Sequence, residues 1–166
     1  LSEKWLWQGE KSSKGGVRMK TLVKVLVLLA TLSAATACFA DGNEAVQLVK
    51  AAAAYYQANG MEKTLDALND AKGQFVKGEL YVFAYDVEGN MLANSLKQSL
   101  VGQNVIDVPD SKGKKFRREI VDRAKKGESG WVDYVAQHPK TKEMEQKTTY
   151  FEKAGDLILG CGIYKK

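Results

Sequence analysis

Four tyrosines, Tyr81, Tyr85, Tyr134 and Tyr150, fall in or beside segments that read as strands, with Trp131 and Lys147 near them in sequence. A tyrosine supplies an apolar ring and one hydroxyl, which suits a small pocket that must both cover a ligand and orient it. A lysine facing such a pocket adds fixed positive charge, the natural partner of a carboxylate. The competing reading makes these rings core, with their hydroxyls at the sheet edge. Residue types alone leave both open.

Other chemistry is scarce. The single histidine, His138, sits beside Pro139 in a turn, with no nucleophile or orienting carboxylate close in sequence, and reads as a loop residue. Gly127 and Gly130 flank a helix end and not its start, so no phosphate-cradling loop is present. No cysteine and histidine cluster has zinc spacing, and Asp107, Asp110 and Glu119 are too scattered to imply calcium. Lys112, Lys114, Lys115, Arg117 and Arg118 form a basic run, but Glu119 and Asp122 follow closely, so the run reads as a solvated helix start. The expectation is a protein that is not an enzyme and needs no cofactor or metal.

These residues need a frame, and the hydrophobic pattern supplies one. Ala45, Val46, Leu48, Val49, Ala52, Ala53 and Tyr56 recur at spacings of three and four, which predicts a helix over 43–58 ended by Asn59-Gly60. A second helix follows from Met61 to about Ala71. The period then changes. Leu80 to Asp86 reads as a strand buried on both faces, Glu88-Gly89-Asn90 as a tight turn, and Met91 to Asn94 as the returning strand. Residues 95–115 are loop-like, and Phe116 to Lys126 is a helix with Phe116, Ile120, Val121 and Ala124 as its apolar stripe. Three strands complete the chain: Gly130 to Ala136, about Gln146 to Lys153, and Leu157 to Tyr164. That order predicts an α+β domain with an antiparallel sheet.

Upstream of the frame, Met19, Lys20 and Lys24 precede the apolar run Val25 to Ala30, small residues follow, and Cys38-Phe39-Ala40 offers a cut before Asp41. This is the build of a secretory signal over 19–40, with an apolar run short of the ~20 residues of a bilayer span. Residues 1–18 do not resemble it and read as translation upstream of the true start. A lesser alternative makes Cys38 a lipid-carrying first residue, although Ala35-Thr36-Ala37 lacks the leucine usually wanted before it. The expected mature protein is one periplasmic domain, 41–166, without stable membrane insertion. Most of the chain's +5 charge lies ahead of Asp41, where six basic residues face two acidic ones, leaving about +1. Nucleic acid is therefore not an expected partner. Cys161 is then a lone thiol in an apolar run, read as a small buried hydrophobe.

The series Tyr81-Val82-Phe83-Ala84-Tyr85-Asp86, Gly89, Leu92-Ala93-Asn94 and Leu100-Val101-Gly102-Gln103-Asn104 resembles the single Cache domain, type-two subgroup. The likeness continues through Asp107, Asp110, Gly113, Phe116, Gly130-Trp131-Val132-Asp133-Tyr134, Pro139, Lys147, Tyr150 and Gly162-Ile163-Tyr164, over about 44–165. The resemblance implies an extracytoplasmic sensing module with a PAS-like fold, a long N-terminal helix on a curved antiparallel sheet. It implies a pocket for a small carboxylate such as acetate, propionate, pyruvate or lactate. Tyr134, Lys147 and Tyr150 would come from its walls, Tyr81 and Phe83 from its floor, and Asn94 would be a polar contact. Val135-Ala136-Gln137-His138 departs from the aromatic and asparagine usual there. Strand alternation puts Lys147 and Tyr150 on opposite faces unless a bulge intervenes, and of the two Tyr150 is the expected pocket residue. Because the chain stops at Lys166, just past the last strand, the expectation is a stand-alone binder that hands its signal to a membrane sensor protein. An interaction module for such a partner, with an idle pocket, is the second expectation.

Overall fold

A computed structural model describes the backbone of residues 19–165 and the side chains of 42–165. Residues 1–18, and the side chains of the expected export signal including Cys38, lie outside the described residues. The chain divides into two units, Leu1–Thr36 and Ala37–Lys166, and the domain below is the second.

Helix α1 is assigned to Met19–Asn69, and its helical geometry breaks at Gly60, with φ 79° and ψ −178°. The break stands where Asn59-Gly60 predicts it. Beyond it Thr64 donates its hydroxyl to the Gly60 carbonyl at 2.7 Å, the bond back to i−4 that a threonine makes within a helix. The strands are β1 (Val76–Lys77), β2 (Leu80–Tyr85), β3 (Met91–Asn94), β4 (Gly130–Gln137), β5 (Met144–Ala154) and β6 (Leu157–Tyr164), and α2 spans Phe116–Lys125. Among these strands only β1, two residues long, has no counterpart in the sequence pattern, which is too short there to show a period; a single 3-10 turn, Gln98–Leu100, also falls in the stretch read as loop.

All pairings are antiparallel, in the order β1-β2-β6-β5-β4. Strand β3 pairs with β2 as well, and the β2–β3 register shifts between Ala84 and Tyr85. Strand β2 is therefore central and buried along its whole length, as its unbroken apolar run requires.

Each face of this sheet has its own core. On one, Ala45, Val49, Ala52 and Leu68 of α1 meet Leu80, Val82, Ala84, Leu159, Cys161 and Ile163. On the other, Phe116, Ile120, Val121 and Ala124 of α2 meet Tyr85, Val132, Phe151 and Ile158. Successive strand residues alternate between the two, so even-numbered positions of β2 face α1 and odd-numbered positions face α2. Cys161 is fully buried on the α1 side, where burial pushes its thiol pKa up to about 12. It is a packing residue.

Strand β6 carries glycine at two even-numbered positions, Gly160 and Gly162, on the face toward α2. Gly160 pairs with Phe83 on one side and Phe151 on the other. A Cβ on Gly160 would stand 2.4 Å from Phe83 Cζ, so the missing side chain is the space that the Phe83 ring fills. Gly160→Ala is expected to force Phe83 from its rotamer and destabilise the domain by about 1–3 kcal/mol, checked by urea denaturation.

Candidate functional site

The α2 face of the sheet is not filled along its whole length. Toward the ends of β4 and β5 a cavity of about 210 Å³ opens between the strands, α2 and the long loop before it. That is below the ~300 Å³ at which pockets for drug-sized ligands begin, so it fits a small molecule. Tyr81, Phe83 and Tyr85 contribute from β2, Asn94 from β3, and Tyr134 and Lys147 from β4 and β5. Lys97, Asp110 and Arg117 border it from the loop and α2.

Lys147 is the unusual group. It sits in a cross-strand row, paired with Tyr134 on one side and Tyr164 on the other. Only 4% of it is exposed. Its Nζ lies 4.4 Å from the centre of the Tyr164 ring and 5.2 Å from that of Tyr81, and it has no carboxylate within ion-pair distance among the described residues. Ring faces compensate a buried cation in part. Gly162 makes the position possible, since a Cβ there would stand 2.5 Å from Lys147 Cε. Burial first, and then the charge of Lys97, lower the pKa of Lys147 to about 8.

Around it the hydroxyls are tuned by burial. Tyr134 stacks on Phe116 with ring centres 3.7 Å apart, and its hydroxyl shares a hydrogen bond of 3.0 Å with Thr149. Burial raises the pKa of both Tyr134 and Tyr81, so at neutral pH each is a neutral donor. The Tyr81 hydroxyl has no hydrogen-bond partner among the described residues.

The loop side is ordered by small polar residues. Asn94 Oδ1 accepts the backbone N–H groups of Leu96 and Lys97 at 3.2 and 2.8 Å, and this turn brings Lys97 to the cavity mouth. Only the Asn94 amide nitrogen, near Met91 Sδ, is left for other use. Asp110 accepts Lys112 and Lys114 N–H on Oδ1 and the Val135 N–H on Oδ2, which fastens the loop to β4. Burial works to raise the Asp110 pKa, but these donors outweigh it and the pKa falls. Arg117 Nη1 donates to the Val108 carbonyl at 3.0 Å, while Nε is buried with no acceptor. An unsatisfied buried donor costs about 1–3 kcal/mol.

Five of the seven site residues expected from sequence therefore surround one cavity: Tyr81, Phe83, Asn94, Tyr134 and Lys147. Trp131 and Tyr150 do not. They pair with each other across β4 and β5 with rings 5.5 Å apart, and Tyr150 belongs to the α1-side core. The Tyr150 hydroxyl donates to Glu152 at 3.0 Å. The register of β5 against both neighbours runs without a bulge, so alternation holds and it is Lys147, not Tyr150, that faces the cavity.

Sequence reasoning missed Lys97 and Arg117. The basic run is indeed mostly solvated: Lys115 and Arg118 pair with Asp107, and Lys114 with Glu119. Arg117 differs because it stands three and four residues before Ile120 and Val121, on the inner stripe of α2, a spacing that could have singled it out. Lys97 gives no such signal, because a loop has no period. His138 is a turn residue: Nδ1 accepts the N–H groups of Lys140 and Thr141, and its ring packs on Tyr164. Among the described residues no acidic, histidine or cysteine group could hold a metal, and no helix is long and apolar enough to cross a membrane.

The family model described as Single Cache domain 2 matches residues 29–166. The chain belongs to that family. The Cache fold is shared with solved structures. A methyl-accepting chemotaxis protein from Vibrio parahaemolyticus is 24% identical with a TM-score of 0.64, over 81% of this chain and 95% of that one. A structure described as carboxylic acid recognition by a Cache chemosensory domain is 21% identical with a TM-score of 0.64, over 79% and 97%. A periplasmic sensor domain of a chemotaxis protein is 22% identical with a TM-score of 0.58, over 83% and 98%. No curated protein matches the chain. The Cache family is an extracytoplasmic, ligand-binding sensory module and not a catalytic one.

The Lys147 charge leaves a thermodynamic mark. Its proton leaves at about 8 in the folded domain against the ordinary 10.5, a difference worth roughly 3 kcal/mol. Below pH 8 both states carry the charge and folding bears the whole penalty; between pH 8 and 10.5 the penalty fades as pH rises. Lys147→Met is thus expected to stabilise the ligand-free domain at pH 7 by about 1–3 kcal/mol, with a smaller gain at pH 10. Urea denaturation at the two pH values checks it.

Proposed function

We propose that this Cache domain is exported to the periplasm, captures a small organic acid in the cavity beside Lys147, and presents its occupancy to a membrane sensor protein without transforming the ligand. The observation that carries this reading is the nearly buried Lys147 ammonium with no carboxylate within ion-pair distance among the described residues, Glu79 acting on it only from farther away. A carboxylate entering the cavity would supply a close counter-charge, and beside an ammonium that is itself nearly buried that pairing gains more than it would in water. Tyr81 offers a free hydroxyl, Tyr134 a second one already oriented by Thr149, and Phe83 an apolar floor for a short alkyl chain. The Cache structure solved for carboxylic acid recognition supports the ligand class by likeness of fold.

The capture is electrostatic at its centre, and pH dependence follows from that. Carboxylic acids stay ionised throughout pH 6 to 9, whereas free Lys147 loses its proton through about 8. Affinity is expected to be level between pH 6 and 7 and to weaken by about tenfold per pH unit beyond 8, measured by isothermal titration with acetate, propionate, pyruvate and lactate. Lys147→Met is expected to weaken binding by at least about tenfold while the protein remains folded. Absence of any stabilisation by millimolar acids in a thermal-shift screen would remove this reading, because a ligand bound only by the folded state must raise its stability.

A further inference from the structure

We propose that the acid held here carries two negative charges, as a short dicarboxylate with one group on Lys147 and the other between Lys97 and Arg117. The inference rests on the carboxylate reading above and narrows it.

The charged residues lining the cavity are Lys97, Asp110, Arg117 and Lys147. Asp110 forms no ion pair with the other three, because its oxygens are taken by the backbone N–H groups of Lys112, Lys114 and Val135, but its charge still counts, so the lining carries three positive charges against one negative. Elsewhere on the domain cations find acids: Lys114 and Arg123 pair with Glu119, Lys115 and Arg118 with Asp107, Lys140 with Glu79, and Lys165 with Asp133. The three cations at the cavity have no such partner among the described residues. One bound carboxylate would leave the lining with an excess positive charge; a dianion balances it.

Placement matches charge. Lys147 rises from β5, Lys97 comes from the turn that Asn94 holds after β3, and Arg117 comes from the first turn of α2. Lys97 connects the other two electrostatically. Partial burial and then the Arg117 charge lower its pKa, and Lys97 in turn acts on Lys147. Arg117 has spent Nη1 on the Val108 carbonyl and interacts with the buried Tyr85 hydroxyl, while its buried Nε has no acceptor among the described residues. The remaining Nε and Nη2 edge is the fork that a carboxylate meets side-on with two parallel hydrogen bonds. A monocarboxylate seated on Lys147 leaves Nε without an acceptor. A second carboxylate one or two methylenes away fills it, and the small cavity restricts the ligand to such short chains.

The test is isothermal titration of the full chain at pH 7 and constant ionic strength with acetate, propionate, malonate, succinate and inorganic phosphate. Malonate or succinate is expected to bind at least about tenfold tighter than either monoacid. Arg117→Gln and, separately, the rim substitution Lys97→Gln are expected to bring the ratio of diacid to monoacid affinity toward one. Monoacids binding as tightly as diacids would overturn this inference and leave the carboxylate reading standing. So would variants that weaken both classes equally, or phosphate binding in preference to every acid. Failure of all four acids to bind would overturn both.

Discussion

An ammonium group withdrawn from water without a carboxylate beside it is the constraint around which this domain is arranged. Lys147 is unfavourable in the ligand-free state, and the shift of its pKa to about 8 measures how unfavourable. The fold tolerates it because the cost is local and the two cores are not. Tyr164 and Tyr81 present ring faces to the charge, Gly162 leaves the side chain room to lie flat, and the sheet beneath is fixed by pairing along the whole of β5. A site held poorly solvated in this way gains most when a counter-charge arrives, which is what a receptor for small anions requires.

The sheet supplies the precision. With α1 on one face and α2 on the other, each strand residue is committed by parity to a core or to the cavity. Tyr150 and Lys147, three residues apart on one strand, therefore serve opposite ends of the problem. Tyr150 packs in the α1-side core and bonds Glu152, while Lys147 points to the cavity side. The glycines of β6 obey the same parity. Gly160 and Gly162 both face α2, one yielding space to Phe83 and the other to Lys147, so one edge of the cavity floor is defined by side chains that are absent.

The loop opposite is held by hydrogen bonds rather than by apolar packing. Asp110 ties it to β4 through the Val135 N–H, and Asn94 shapes the turn that carries Lys97. Short polar side chains that accept backbone N–H groups give a loop one conformation without filling the space beneath it. This is how a domain of this size keeps a hollow next to its core. The same residues shape the charge of the site, since an Asp110 held by backbone donors forms no ion pair with Arg117 or Lys97 and leaves the lining positive.

The sequence by itself determined the element order, the helix break at Gly60, the burial of β2 and Cys161, and the two-faced logic of the strands, because these follow from local periodicity and turn chemistry. It also brought forward Tyr81, Tyr134 and Lys147, as tyrosines and a lysine in strand-forming segments that resemble the Cache series. Tertiary structure alone decided which face of β5 borders the hollow. Parity says that Lys147 and Tyr150 oppose each other, but not which of them meets α1. It alone placed Lys97 and Arg117 at the same cavity as Lys147, since those three come from segments far apart in the chain and come together only when α2 and the loop close over the sheet. Electrostatic environment is a property of that closure: the same lysine on an open strand would be an ordinary solvated cation.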